Sequence, residues 1–158
     1  MVIKIEDYLQ PQVVATLRAN LSDRSDDELA VQTEECLKFL LIMSGRSRGF
    51  IPLTSEVDEV WHELILQTME YAELCDSLPG RKFIHHQSLA FTDYAAERSE
   101  GEIVDEFLSW IPAYVSRFGP FTPERAKYWS FCAYLTDSLG LGLQQLNEIG
   151  ARAAETAA

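Results

Sequence analysis

Between Ser25 and Gly45 the chain reads SDDELAVQTEECLKFLLIMSG, and this stretch constrains the fold more than any other. Ser25 followed three residues later by Glu28 is the pattern of a capping box, in which each side chain bonds the other's backbone amide and opens a helix. Gly45 supplies the stop. The last two turns, through Phe39, Leu40, Leu41, Ile42 and Met43, are apolar nearly all round. A helix end of that kind has to be covered on every side, so the chain must provide further elements to enclose it.

Those elements also read as helices. Pro11 suits a first helical turn, and Val13, Val14, Leu17 and Leu21 follow at helical spacing. RSRGFIPLT, Arg46 to Thr54, is a loop; Ser55 with Asp58 then repeats the capping-box pattern and starts a helix expected to run unbroken to Pro79-Gly80. Ile103, Phe107, Trp110, Ile111 and Tyr114 form another stripe, with a kink expected at Pro112 and a stop at Gly119-Pro120. Thr122 and Pro123 open TPERAKYWSFCAYLTDSLG, which Gly140 ends, and Leu141 to Ile149 forms one more short helix. No segment alternates as a strand does, and neither an internal repeat nor a low-complexity linker is present. The expected fold is all-α: a single-domain bundle of five to six helices over residues 1–150, with one long irregular loop at about 79–101. The tail 151–158 has little to bury and is expected to fray.

Thirteen basic residues against 25 acidic give a formal net charge of -12, which repels the phosphates that dominate nucleic-acid affinity and disfavours anionic membranes. The longest apolar run, Phe39 to Met43, is far short of the roughly 20 residues of a membrane span, and MVIKIEDYLQ lacks the apolar segment of a secretory leader. Cys36, Cys75 and Cys132 are odd in number and sit inside apolar helical patterns, so reduced buried thiols are expected in a cytoplasmic protein.

Chemistry concentrates in VDEVWHELILQTMEYAELC, Val57 to Cys75. On one continuous helix Val57, Val60, Trp61, Leu64, Ile65, Ala72 and Cys75 share the core-facing arc, with Glu59, Glu63, Gln67 and Glu70 opposite. Asp58 and His62, four apart, are neighbours at the boundary, where a carboxylate can orient an imidazole. The pair suits an acid/base dyad, a metal ligand with its orienting carboxylate, or a simple surface ion pair. Cys75 would lie about 220° round the axis and roughly 20 Å along, too far to share a metal with His62. His85 or His86, from the loop beyond, can fold back and complete a three-ligand site for zinc or non-haem iron with Asp58 and His62. HExxH is absent, because Leu66 stands where its second histidine would be.

VDEVWHELILQTMEYAELCDSLPGRKFIHH resembles the signature of the glycine-rich domain-containing protein-like family: an Asp-x-x-Trp-His core, a Tyr-x-x-x-Cys step, then a histidine pair. Asp58, Trp61, His62, Tyr71, Cys75, His85 and His86 fit it. The resemblance implies a helical module; larger plant members of that family attach it to other domains. Bacterial relatives tend to read Trp-His-x-His, Leu-Asp-Thr and Asp-Cys, whereas this chain carries Leu64, Gln67 and Leu74 at those positions. The stretch after the histidines, QSLAF, also departs from the family's aromatic one.

Three functions follow as expectations. One is a monomeric or weakly associating module that binds a protein partner with a basic surface through its acidic faces and the loop 79–101. Another is a metal-dependent or His/Asp acid-base enzyme on a small molecule or peptide, holding a divalent transition metal through His62 with His85 or His86. The third is architectural, with Trp61, Tyr71 and Cys75 locking the helix and the histidines bridging it to the loop through buried hydrogen bonds.

Overall fold

The computed structural model describes residues 1–46, 51–86 and 91–157, and among these the regular structure is helical throughout. The expected loop from Arg46 and the segment QSLAF lie partly outside the described residues. The chain forms two compact units, one of residues 2–47 and 53–85, the other of Met1, 48–52 and 86–158.

The first unit holds a 3-10 turn, Ile5–Asp7, and four helices: α1 Pro11–Asn20, α2 Asp26–Ser44, α3 Ser55–Leu66 and α4 Thr68–Ser77. At the start of α2 the capping box is complete, with Glu28 N donating to Ser25 Oγ at 3.1 Å and Ser25 N to Glu28 Oε2 at 3.0 Å. The enclosure expected of its apolar end is observed: Leu37, Phe39, Leu40, Leu41 and Ile42 are all buried, and α3 packs along the helix. Phe39 meets Trp61 edge to face, ring centroids 4.9 Å apart. Two charges enter this core as well. Glu35 and Lys38 are buried and joined at 2.6 Å, a pairing that a helical wheel read from sequence assigns to solvent.

Two features of α3 differ from expectation. Thr54, not Ser55, is the N-cap, its carbonyl accepting from Asp58 N at 3.0 Å, so Asp58 is not engaged in a capping box. The helix is also not continuous to Pro79, because Gln67 takes φ -87° and ψ 71° and α4 departs in a new direction. Trp61 and Tyr71 show the reason. On one straight helix ten residues separate them by about 15 Å along the axis, whereas here Trp61 Nε1 donates to Tyr71 Oη at 3.0 Å inside the core. Across the break the buried phase changes from Val57, Val60, Trp61 and Leu64 to Tyr71, Leu74 and Cys75, and Ala72 is exposed.

The second unit holds α5 Phe91–Ala96, α6 Glu100–Phe118, α7 Pro123–Ala126, α8 Ser130–Leu139 and α9 Leu143–Ala157. The stretch 79–101 is thus interrupted by α5 in its described part. Pro112 lies within α6, and Gly119 (φ 87°) and Gly140 (φ 68°) end α6 and α8 where their left-handed torsions favour glycine. The single helix expected after Thr122 is divided, since Trp129 is extended (φ -111°, ψ 111°) between α7 and α8. That torsion places Trp129, fully buried, among Trp110, Tyr114, Phe121 and Phe131. Residues 151–157 continue α9, which packs on α6; Gly150 allows the approach, since a Cβ there would lie 2.6 Å from Val115 Cγ2.

Candidate metal site

Val57, Val60, Trp61 and Leu64 turn one side of α3 into the core, which leaves Asp58 and His62 together on its flank. His62 Nε2 stands 3.5 Å from Asp58 Oδ2, with the side chains 51% and 29% exposed. Such exposure does not suit the buried histidine bridge of the architectural reading. On the neighbouring flank Arg24, whose side chain is 7% exposed, braces the helix. It donates to Gln32 Oε1 at 2.8 Å and Glu56 O at 3.0 Å, and pairs with Glu59. Burial works against the Arg24 charge, but Glu59 and Asp23 outweigh it and hold the guanidinium pKa above its ordinary value.

The histidine pair is reached by a turn. After α4, Leu78 to Arg81 close on themselves, Arg81 N donating to Leu78 O at 2.9 Å, and Gly80 N donates to Ser44 Oγ at 2.8 Å. From there the chain runs to Ile84, whose carbonyl accepts from Tyr71 Oη at 2.5 Å. His86 follows two residues later, at the start of the second unit. His85 is exposed, its ring 4.8 Å from that of Phe83.

Metal bonds of about 2.0 to 2.2 Å at tetrahedral or octahedral angles put neighbouring ligand atoms roughly 3 to 3.5 Å apart. The Asp58 to His62 separation of 3.5 Å meets this. An imidazole and a carboxylate suit zinc, iron(II), manganese or cobalt.

Cys75 turns into the core although the helix breaks: it is buried, one turn after Tyr71 on α4. Burial pushes the Tyr71 hydroxyl far above the ordinary phenol range; Trp61 opposes that shift, while Cys75 and Cys36 add to it. Cys36 is fully buried, and burial first, then the Asp58 charge, raises its thiol pKa beyond the ordinary range. All three cysteines are free and buried, as expected from their places in apolar helical patterns. The Trp61, Tyr71 and Cys75 lock is therefore present, with a Tyr71 to Ile84 bond that no local spacing signals. No described helix is long and apolar enough to cross a membrane.

A family model, UCP032817-like, matches residues 3–103, a span that includes Asp58, His62 and His86. No curated protein and no solved structure matches the chain.

Proposed function

The chain belongs to the UCP032817-like family, and for this member we propose a divalent transition-metal site held through Asp58 and His62, with one of His85 and His86 as a third ligand. One observation carries the reading: two side chains of ligating type share one flank of α3, His62 Nε2 standing 3.5 Å from Asp58 Oδ2. The half-exposed His62 leaves the metal open to water and to a small molecule or peptide. A metal held in this way acts as a Lewis acid toward a bound carbonyl or phosphoryl oxygen and lowers the pKa of a bound water. Asp58 is a ligand in this arrangement rather than the orienter of a lone histidine, since 3.5 Å is long for the hydrogen bond of a dyad. The module acts in the cytoplasm, where free buried thiols persist, and its acidity turns it away from nucleic acid. The likeness of residues 57–86 to the glycine-rich domain-containing protein-like family belongs to this reading, with the Asp-x-x-Trp-His core and the histidine pair supplying the ligands.

The test is metal analysis of protein purified without a histidine tag, then titration of the apoprotein with zinc. One equivalent is expected, with His62→Ala and one of His85→Ala and His86→Ala each losing at least about tenfold in affinity. Sub-stoichiometric metal in the native protein together with no zinc binding by the apoprotein retires the site. So does an unchanged zinc affinity in His62→Ala.

Partner binding keeps one supporting observation. Leu66 and Met69 are 72% and 67% exposed at the α3 to α4 junction, beside Glu63 and Glu70. A partner with a basic surface and a small apolar contact fits there, and its association rate should fall as salt rises.

A further inference from the structure

The geometry points to a binding site for a short aliphatic amine, independent of the metal reading and built from residues of the first unit alone. A cavity of about 140 Å³ opens between residues 7–13, the end of α3 and α4. Its floor is apolar: Leu9, Val13, Leu64, Tyr71 and Leu74 line it, all between 2% and 6% exposed. Its rim is acidic. Asp7 and Glu73 are exposed, Glu70 is half-buried, and no lysine, arginine or histidine lines the cavity. Among the described residues none of these three carboxylates takes part in an ion pair.

Size and charge together select the occupant. An engineered protein cavity of about 150 Å³ holds one benzene molecule, so this one takes a chain of roughly four to six carbons. Three uncompensated carboxylates at the mouth draw a cation and repel an anion. The positive end of α1, which starts at Pro11, amounts to about half a charge and offsets little of this. Each methylene moved from water onto the floor strengthens binding by about fourfold, and each exposed ion pair at the rim by about twofold to fivefold. Polarity also fixes the direction of entry. The tail goes in and the ammonium stays at the mouth, because the one hydroxyl on the floor, Tyr71 Oη, is already bonded to Trp61 and Ile84. A lysine side chain of a protein partner, tethered at its aliphatic end, would have to bury its ammonium on the apolar floor, so the occupant is a free amine.

The experiment follows the backbone amide NMR shifts of Leu9, Val13 and Leu74 in the full chain. Four compounds are titrated: pentylammonium, 1-pentanol, pentanoate, and lysine acetylated at its α-amine and amidated at its carboxyl. Pentylammonium is expected to saturate these shifts at millimolar concentration and to bind about tenfold or more tightly than 1-pentanol, with pentanoate weakest. Butylammonium and propylammonium should weaken in turn by about fourfold for each methylene removed. Asp7→Asn, Glu70→Gln and Glu73→Gln combined should abolish the preference for the ammonium and leave 1-pentanol binding unchanged. No saturation by about 20 mM pentylammonium overturns the inference. So does 1-pentanol binding the wild type as tightly as pentylammonium, a comparison that needs no variant to fold. Blocked lysine binding as tightly as pentylammonium also overturns it and assigns the cavity to a protein partner's side chain.

Discussion

Gly80→Ala should destabilise this protein well beyond what a surface turn usually allows. Gly80 has an ordinary torsion; its glycine is required by proximity. An added Cβ would fall 1.9 Å from the Ser44 carbonyl oxygen, 2.8 Å from Ser44 Oγ and 2.9 Å from the Ser44 carbonyl carbon. An ordinary contact begins at 3.4 Å, so the two segments must separate by about 1.5 Å. Ser44 is 2% exposed and ends α2, so the turn is the part that moves. Moving it breaks the 2.8 Å bond from Gly80 N to Ser44 Oγ, worth about 1 kcal/mol net and up to about 3 if a buried partner is left unpaired. Displacing the packing of Leu78, buried beside the turn, adds about 1 to 2 kcal/mol. The total is about 2 to 5 kcal/mol, which at a urea m-value of about 2 kcal/mol/M lowers the midpoint by about 1 to 2.5 M. Gly45→Ala is the comparison, because its Cβ would meet only Ile42 O at 3.7 Å, and it should change stability by less than about 1 kcal/mol. Urea unfolding followed by tryptophan fluorescence measures both. A Gly80→Ala midpoint within about 0.3 M of wild type, or an equal loss at Gly45, refutes the steric argument.

Two further outcomes follow from buried polar groups. Lys38→Met leaves Glu35 buried without its 2.6 Å partner and should cost about 3 to 5 kcal/mol, whereas Glu35→Leu with Lys38→Met should recover most of it; denaturant midpoints decide. Cys36 and Tyr71 both have pKa values raised in the folded chain, so the unfolded state loses their protons first as pH rises. Stability should hold at neutral pH and then fall above about pH 8.5 through Cys36 and above about pH 10 through Tyr71, by up to about 1.4 kcal/mol per pH unit for each; Cys36→Ala removes the first component.

Much of the helical architecture was open to reading along the chain, because it is local. Ser25 and Glu28 cap within one turn, Gly119 and Gly140 stop helices by their own torsions, and the apolar end of α2 announces its burial by having no polar side. The flank pairing of Asp58 with His62 is likewise a property of one helix. The breaks at Gln67 and Trp129 were not legible, since periodicity records which face is apolar and not where a helix must turn to bring distant groups together. Trp61 reaching Tyr71, and Trp129 entering an aromatic cluster, are satisfied only by residues far apart in sequence. The same holds for the approach to the adjacent histidines. Sequence offers His85 and His86 equally; the fold anchors Ile84 to Tyr71 and turns His85 to Phe83. Local chemistry therefore determined which side chains are available, and long-range hydrogen bonding in a dry core decided which of them meet.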